Sequence, residues 1–138
     1  MKKVLFLCTG NSCRSQMAEG LLRHLGGDNF EVFSAGVMSI GVNSLAIKVM
    51  NEIGVNISAQ GSKSIKEFLG QQFDYAITLC DDAKEACPVF PGECKGLHWG
   101  LDDPAKANDT GEERVIVFRR IRDQIKSHID LFLKENKT

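Results

Sequence analysis

The hydrophobic residues of this chain follow two different periods, which predict strands alternating with helices. Residues 4–7 form a short continuous apolar run, which is typical of a strand buried on both faces of a parallel sheet. The stretch "FEVFSAG" (30–36) predicts a second strand, "FDYAITLC" (73–80) a third and "GLHWG" (96–100) a short fourth. Longer segments with a helical period separate these strands.

Three of those segments predict amphipathic helices. The first ends at the glycine pair 26–27, and the second is capped by Asn43 and ends at Gly54. The third begins at residues 110–113, a capping-box pattern, and a shorter helix is expected near residues 64–69. The residues predicted to face inward are Met17, Leu21 and Leu25, then Ala46, Val49, Met50 and Ile53, and finally Phe118, Ile121, Ile125, Ile129 and Phe132.

This alternation predicts βαβ units, and therefore a three-layer α/β/α fold built on a parallel sheet. The length of 138 residues suits one domain, residues 1–138. In such folds ligands bind beyond the carboxyl ends of the strands. Cys8 and Cys80 end the first and third predicted strands, and residues 102–103 follow the fourth. The candidate chemistry is therefore expected at one edge of the sheet.

Composition and charge narrow the class of protein. The net charge is −1, which gives no reason to expect broad attraction to nucleic acid or to a membrane surface. No apolar run approaches the roughly 20 residues that a membrane span needs. The apolar run at residues 4–7 is also too short for a signal peptide. We therefore expect a cytoplasmic protein that acts without nucleic acid or membrane.

The cysteines are the most informative residue type in this composition. There are five of them, at positions 8, 13, 80, 87 and 94. An odd number in a cytoplasmic chain argues against a disulfide scaffold and favours redox, nucleophilic or metal chemistry. Any one of them taken alone is better explained as a small buried apolar residue, but five together, three of them at regular spacing, favour chemistry. A zinc or redox-sensing module at Cys80, Cys87 and Cys94 is an alternative, although their six-residue gaps differ from the usual spacing of zinc ligands.

The loop between Cys8 and Arg14 predicts an anion site with a nucleophile. Small residues between a strand and a helix turn backbone N–H groups and the helix dipole toward a tetrahedral oxyanion. Arg14 can bind two of its oxygens, and the same positive environment favours the thiolate of Cys8. An ordinary βα turn with a buried cysteine is the simpler alternative. The predicted anion-binding residues are Thr9, Gly10, Asn11, Ser12, Cys13, Arg14 and Ser15.

Two residues of the loop have more than one interpretation. The Ser15 hydroxyl is placed either to cap the following helix or to donate to the Cys8 thiolate. Cys13 is either a second thiol partner for Cys8 or a residue that packs beneath the loop without reacting.

A candidate general acid lies in the stretch "DDPAK" (102–106). Pro104 holds Asp103 in an extended conformation and fixes the loop. A carboxyl group held over the anion can protonate the oxygen that leaves when Cys8 attacks. A solvated Asp-Pro turn is an equally good interpretation of the spacing alone.

Three motifs resemble the thioredoxin-coupled arsenate reductases. They are "CTGNSCRSQMAEG" (8–20), "TLC" (78–80) with Cys87 seven residues on, and "HWGLDDPA" (98–105). That family is built on the low-molecular-weight tyrosine phosphatase fold. The resemblance implies a four-stranded parallel sheet of order 2-1-3-4 with helices on both faces.

The same resemblance implies a set of roles. Cys8 is the nucleophile on arsenate, Arg14 holds the anion and Asp103 is the general acid. Cys80 and Cys87 carry the oxidising equivalents away, through a Cys8–Cys80 disulfide and then a Cys80–Cys87 disulfide. Thioredoxin reduces the last of these. A monomer without cofactor, with weak phosphatase side activity, is expected.

Forming the second disulfide requires a movement. If residues 81–87 begin as a helix, the seven-residue separation spans about 10 Å at 1.5 Å per residue. A disulfide needs Cα atoms closer than about 7 Å. The short polar segment "DDAKEA" (81–86), with Pro88 after it, is therefore expected to bend or unwind.

The chain departs from the family pattern at two places. Some family members bind potassium near the loop, and Asn11, Glu19 and Ser34 match positions that contribute. Lys63 stands where an acidic ligand is expected, so we predict no metal site, with the lysine ammonium in place of the cation. Cys94 lies outside the pattern and is either a bystander or an alternative partner for Cys87.

A low-molecular-weight protein tyrosine phosphatase is the alternative function. It would use Cys8, Arg14 and Asp103 but would not need Cys80 or Cys87. Such phosphatases usually carry an aromatic residue after their Asp-Pro, whereas Ala105 follows here.

Overall fold

The structure is a computed structural model, and it describes residues 1–104 and 111–136. Four parallel strands form one sheet in the order β2-β1-β3-β4. Both the predicted fold class and the strand order 2-1-3-4 are confirmed. The strands are β1 (Lys2–Cys8), β2 (Phe30–Gly36), β3 (Tyr75–Thr78) and β4 (Lys95–His98), and the helices are α1 (Arg14–Gly26), α2 (Ser44–Asn51), α3 (Asp81–Ala86) and α4 (Gly111–Glu135).

Side chains cover both faces of the central strand β1. On one face Phe6 packs against Trp99, which in turn contacts Phe132 of α4. On the other face Phe33, the register partner of Leu5, contacts Phe68 in a short 3-10 turn, Ile65–Phe68. Because alternate residues of a strand point to opposite faces, a strand covered in this way must be apolar throughout. This explains the unbroken run at residues 4–7.

Helix α4 confirms the prediction made from its apolar spacing. Its five predicted inward residues are all buried, and its charged residues lie mostly on the exposed face. The threonine of its predicted capping box, Thr110, lies outside the described residues. Among the helices of the described ranges, none has the length and apolar character required to cross a bilayer.

Helix α2 confirms the predicted cap. The Asn43 side chain accepts from the backbone N–H groups of Leu45 and Ala46, at 2.8 and 3.3 Å. Ile53 was predicted to face inward, and this is wrong. It is 36% exposed because the helix ends at Asn51, before the next inward position.

Leu25 of α1 was likewise predicted inward and is 39% exposed. In this last turn Phe30 packs closely over Gly26, so Gly26 is the buried residue and Leu25 lies at the surface. The third strand, Tyr75–Thr78, is shorter at both ends than predicted, and the fourth begins one residue earlier and ends two residues earlier than predicted.

Candidate active site

The loop between β1 and α1 is supported from outside by residues 37–43. Four N–H groups of that segment donate to loop carbonyl oxygens at 2.9 to 3.1 Å. Within the described part of the chain, none of the amide N–H groups of residues 10–13 donates to a protein acceptor. The loop therefore has its carbonyls occupied and its amides available for an anion. The pairs are Val37 to Cys8, Met38 to Thr9, Ile40 to Gly10 and Asn43 to Ser12.

The Cys8 sulfur is hydrogen-bonded to the side chain of Ser15. Its Sγ lies 2.8 Å from the Ser15 hydroxyl oxygen, and both groups are buried. The Asn11 amide donates to that same oxygen at 2.8 Å. A thiolate only accepts, so against the ionised form of Cys8 the Ser15 hydroxyl is the donor, while its oxygen accepts from Asn11. Of the two interpretations of Ser15, the structure favours donation to Cys8.

Asn11 also fixes the shape of the loop. Its φ of 48° is left-handed, a conformation that Asn tolerates better than most residues. Its amide donates to Ser34 at 2.9 Å, and its carbonyl oxygen accepts from the backbone N–H of Lys63 at 2.7 Å. These bonds tie the loop to β2 and to the segment before the 3-10 turn.

Arg14 and Asp103 lie beside each other. An Arg14 nitrogen is 3.6 Å from an Asp103 carboxylate oxygen, and another donates to the carbonyl of Leu101 at 2.9 Å. The guanidinium is thus aligned from the loop after β4. The structure brings together these two predicted residues, which lie 89 positions apart in the chain.

Cys80 shares the cavity with this pair. It is the residue before α3, and its sulfur lies 3.3 Å from the Thr9 hydroxyl. The cavity is lined by Thr9, Arg14, Cys80, Asp81, Asp82, Gly100, Leu101, Asp102 and Asp103.

Cys87 is separated from Cys80 by the whole of helix α3. It is half-buried, and burial raises the pKa of its thiol, with a further contribution from the charge of Cys94. Burial followed by the charge of Asp74 also raises the pKa of Cys94. All five cysteines are free thiols. The reduced arrangement therefore joins Cys80 to the anion loop and keeps Cys87 apart from it.

Cys13 lies beneath the loop. It is buried, and mainly because of this burial the pKa of its thiol is raised to about 12. A thiol with such a pKa is unreactive near neutral pH.

The residues at the expected potassium position do not fit that ion. The Lys63 ammonium lies 3.7 Å from a Glu19 carboxylate oxygen and donates to the carbonyl of Gly61. Ser34 donates to the same Glu19 oxygen at 2.5 Å, and Arg23 binds the other at 2.7 Å. A cation already neutralises the carboxylate here. In residues 1–104 and 111–136, no three His, Cys, Asp or Glu side chains converge as a metal site.

The sequence did not reveal two supports of the site. The Leu101 carbonyl and the backbone of residues 37–43 act through main-chain atoms, which leave no side-chain signal. A third feature is a chain of contacts from Thr78 through His98 to Asp81. The predicted strand ends placed Cys8 and Cys80 at one edge of the sheet, but the sequence did not predict this contact between β4 and α3.

Known proteins with a similar sequence or fold were found over almost the whole length of the chain. The family model described as low molecular weight phosphotyrosine protein phosphatase matches residues 3–138. An arsenate reductase of Shouchella clausii is 52% identical over 131 residues, which are 95% of this chain and 94% of that protein. An arsenate reductase of Halalkalibacterium halodurans is 50% identical, covering 99% and 98%.

A solved structure of an arsenate reductase in the oxidized state is 35% identical, with a TM-score of 0.83 over 98% of both chains. Both the sequence comparison and the structure comparison match this chain to arsenate reductases over more than nine-tenths of its length. The chain therefore belongs to the low molecular weight phosphotyrosine protein phosphatase family, together with the relatives that are named arsenate reductases.

Proposed function

We propose that this protein reduces arsenate to arsenite, with Cys8 as nucleophile and Cys80 and Cys87 as the thiols that supply and relay electrons. The observation that carries the proposal is the position of Cys80. Its thiol lines the same cavity as Arg14 and Asp103 and lies against the Thr9 hydroxyl of the anion loop. Phosphate-ester hydrolysis has no use for a second thiol at that place.

The first step is formation of a covalent adduct. Arsenate binds to the free amides of the loop and to the Arg14 guanidinium. The Cys8 thiolate attacks arsenic, a sulfur–arsenic bond forms, and one arsenic–oxygen bond breaks. Asp103 protonates the leaving oxygen, which departs as water. The Ser15 hydroxyl stabilises the thiolate before the attack.

The second step transfers the electrons. The Cys80 thiolate attacks the Cys8 sulfur, a sulfur–sulfur bond forms, and the sulfur–arsenic bond breaks. Its electron pair stays on arsenic, so arsenic(V) becomes arsenic(III) and leaves as arsenite. Two thiols have then been oxidised to the Cys8–Cys80 disulfide, which balances the two-electron reduction.

The third step moves the disulfide away from the cavity. The Cys87 thiolate attacks Cys80 and releases Cys8, which leaves a Cys80–Cys87 disulfide. Helix α3 must unwind for this, because its six residues hold the two cysteines too far apart. Unwinding also frees Cys87 from the burial that keeps it protonated.

An external dithiol then restores the enzyme, and we assign this role to thioredoxin. An intramolecular disulfide on a segment that has left its helix is a substrate for attack by such a protein. Five free thiols in one chain fit the reducing conditions of the cytoplasm, where we place the protein, as a monomer.

A single turnover tests the proposal. The fully reduced protein receives a few equivalents of arsenate without any reductant, and thiols are counted and disulfides mapped by mass spectrometry. We expect two thiols lost, a Cys80–Cys87 link and one arsenite released. Cys87→Ser should stop at Cys8–Cys80, whereas Cys94→Ser, the matched control, should behave like the wild type. An unchanged thiol count would overturn the proposal.

A weak phosphatase activity is a second candidate, favoured by the anion loop and by the Arg14–Asp103 pair. It requires neither Cys80 nor Cys87. Cys80→Ser should therefore retain hydrolysis of an aryl phosphate while it loses arsenate reduction. Equal loss of both activities would contradict this division of roles.

A further inference from the structure

A chain of three polar side chains connects the sheet to helix α3. The Thr78 hydroxyl lies 2.7 Å from Nδ1 of His98, and Nε2 of His98 lies 3.2 Å from an Asp81 carboxylate oxygen. A carboxylate only accepts, so Nε2 carries the hydrogen and donates to Asp81. With the hydrogen on Nε2, Nδ1 is free to accept from the Thr78 hydroxyl, which also lies 3.4 Å from the carbonyl oxygen of Leu97. The ring is thereby oriented with its donor on the first residue of α3.

One side of this contact is rigid. His98 ends β4 and pairs in register with Thr78 of β3. The next residue, Trp99, donates its backbone N–H to the carbonyl of Thr78 at 2.8 Å. Its ring stacks on His128 of α4 with centroids 4.9 Å apart. His98 is therefore held by two strands and, through its neighbour, by the longest helix of the described residues.

The other side of the contact is weakly held. Helix α3 has six residues, and of these only Ala83 is buried. Cys80, the residue at its cap position, makes no side-chain capping bond. A helix of this length is unstable by itself in water, so its stability depends on contacts to the rest of the fold. The Asp81 side chain is 91% exposed and is held to the fold by the bond from His98.

We propose that His98 is a positioning residue that holds α3 in its helical form, and that this latch stabilises the dithiol form of Cys80 and Cys87 over their disulfide. The inference rests on the proposed function, because it concerns the disulfide that the relay forms. Asp81 is adjacent to Cys80, so the unwinding that joins Cys80 to Cys87 takes the carboxylate away from His98. The bond then exists in the dithiol form and is lost in the disulfide form.

Two consequences follow for the relay. By linkage, an interaction made only in the dithiol form raises the reduction potential of the couple. The Cys80–Cys87 disulfide thus becomes easier for an external dithiol to reduce. The latch also keeps Cys87 at the far end of α3 from Cys80 while the helix is formed.

The test measures the equilibrium between dithiol and disulfide. The full-length protein is equilibrated in dithiothreitol buffers of graded redox state, and the Cys80–Cys87 disulfide is quantified by alkylation and mass spectrometry. We expect His98→Ala to shift the equilibrium about threefold to tenfold toward the disulfide, the range of one solvent-accessible hydrogen bond. This is a fall of about 14 to 30 mV, at 29.6 mV per tenfold change. His98→Gln, whose amide can donate to Asp81, should shift it less.

A matched pair of carboxylates shows whether the effect runs through Asp81. Asp81 and Asp82 both lie in the first turn of α3, but the bonds described for His98 go to Thr78 and Asp81. The His98→Ala shift should disappear in an Asp81→Ala background and persist in an Asp82→Ala background. Asp81→Ala alone, a change at the surface, should reproduce the shift without disturbing the core.

The outcomes separate this inference from the function on which it rests. If the wild type forms no Cys80–Cys87 disulfide with arsenate, the proposed relay fails. If that disulfide forms but wild type and His98→Ala have equal potentials, the relay stands and the latch is refuted. A Cys87→Ser background supplies the remaining check, because His98→Ala should leave the rate of Cys8–Cys80 formation unchanged. A parallel loss there would indicate general damage to the site and would also overturn the latch.

Discussion

Replacing Gly36 with alanine should displace the backbone of the anion loop, residues 8–14, which packs against Gly36. Gly36 ends β2 and is the register partner of Cys8. A Cβ built on it would lie 2.4 Å from the carbonyl oxygen of Met38, 2.5 Å from the backbone nitrogen of Asn11 and 2.8 Å from the carbonyl carbon of Gly10. All three are main-chain atoms, so no side-chain rotation relieves the contact. The loop itself has to move.

The size of that movement sets the expected effect. Carbon atoms pack at about 3.5 to 4.0 Å, so the loop backbone must shift by about 1 Å. Overpacking of this kind costs about 1–3 kcal/mol of folding free energy. A displacement of about 1 Å at a reacting centre costs about a hundredfold in rate. Because Asn11 orients Ser15 toward Cys8, kcat/KM for arsenate should fall by about that factor.

Gly96 provides the matched control. It also lies within a strand, β4, and a Cβ built on it meets nothing within 4 Å. Gly96→Ala should be neutral or slightly stabilising, since alanine restricts the unfolded chain. Urea denaturation and initial rates of arsenate reduction compare the two variants. The reasoning is refuted if Gly36→Ala matches Gly96→Ala within about 0.5 kcal/mol and retains its activity.

Further predictions concern single groups of the site. Ser15→Ala removes the donor to the Cys8 sulfur and should slow single-turnover arsenate reduction about tenfold to a hundredfold, whereas Ser12→Ala should have a much smaller effect; equal rates in both would contradict the assigned hydrogen bond. Cys13, whose thiol pKa burial raises to about 12, should resist iodoacetamide in the folded protein at pH 8, and rapid peptide-mapped labelling would count against that burial. Burial also raises the pKa of Cys87. Its thiolate fraction at neutral pH is therefore small and grows with pH, so transfer of the disulfide to Cys87 should accelerate nearly tenfold per unit between about pH 6.5 and 8, and a flat profile would oppose this.

The sequence predicted the fold well because the apolar runs are bounded by sharp signals. Buried strands that are apolar on both faces produce continuous runs, and Asn43 marks a helix start through its own side chain. The errors arose at helix ends, where apolar residues at helical spacing do not require burial. Leu25 and Ile53 continue a helical period, but α2 stops before Ile53, and Phe30 packs on Gly26 beside Leu25.

The sequence predicted the parts of the site that depend on the chemistry of particular side chains, and not the parts that depend on the backbone. Cys8, Arg14 and Asp103 are residue types with few common roles in such a setting, and their positions at strand ends placed them at one edge. The amide groups that face an anion, and the carbonyl of Leu101 that aligns Arg14, belong to the backbone. Which of the two adjacent carboxylates meets Arg14 depends on the path of the chain after β4, and local spacing does not determine that path.

Strand order explains why Cys80, and not Cys94, lies beside the anion loop. β1 and β3 are direct neighbours, with Leu7 opposite Thr78, so their carboxyl ends bring Cys8 and Cys80 to one edge. Cys94 precedes β4, which is parallel to both, and therefore lies at the amino edge, beside Asp74. Helix α3 leads away from the carboxyl edge, and Cys87 at its end lies within range of the charge of Cys94.

In the proposed relay, a disulfide that stayed at Cys8 would block the next arsenate, and a protein reductant would reach it less easily than a disulfide at Cys87. Unwinding a six-residue helix with one buried side chain costs little compared with moving any strand. The proposed relay therefore uses this short helix to move oxidising equivalents from the anion cavity to Cys87, while the sheet that carries Cys8 stays in place.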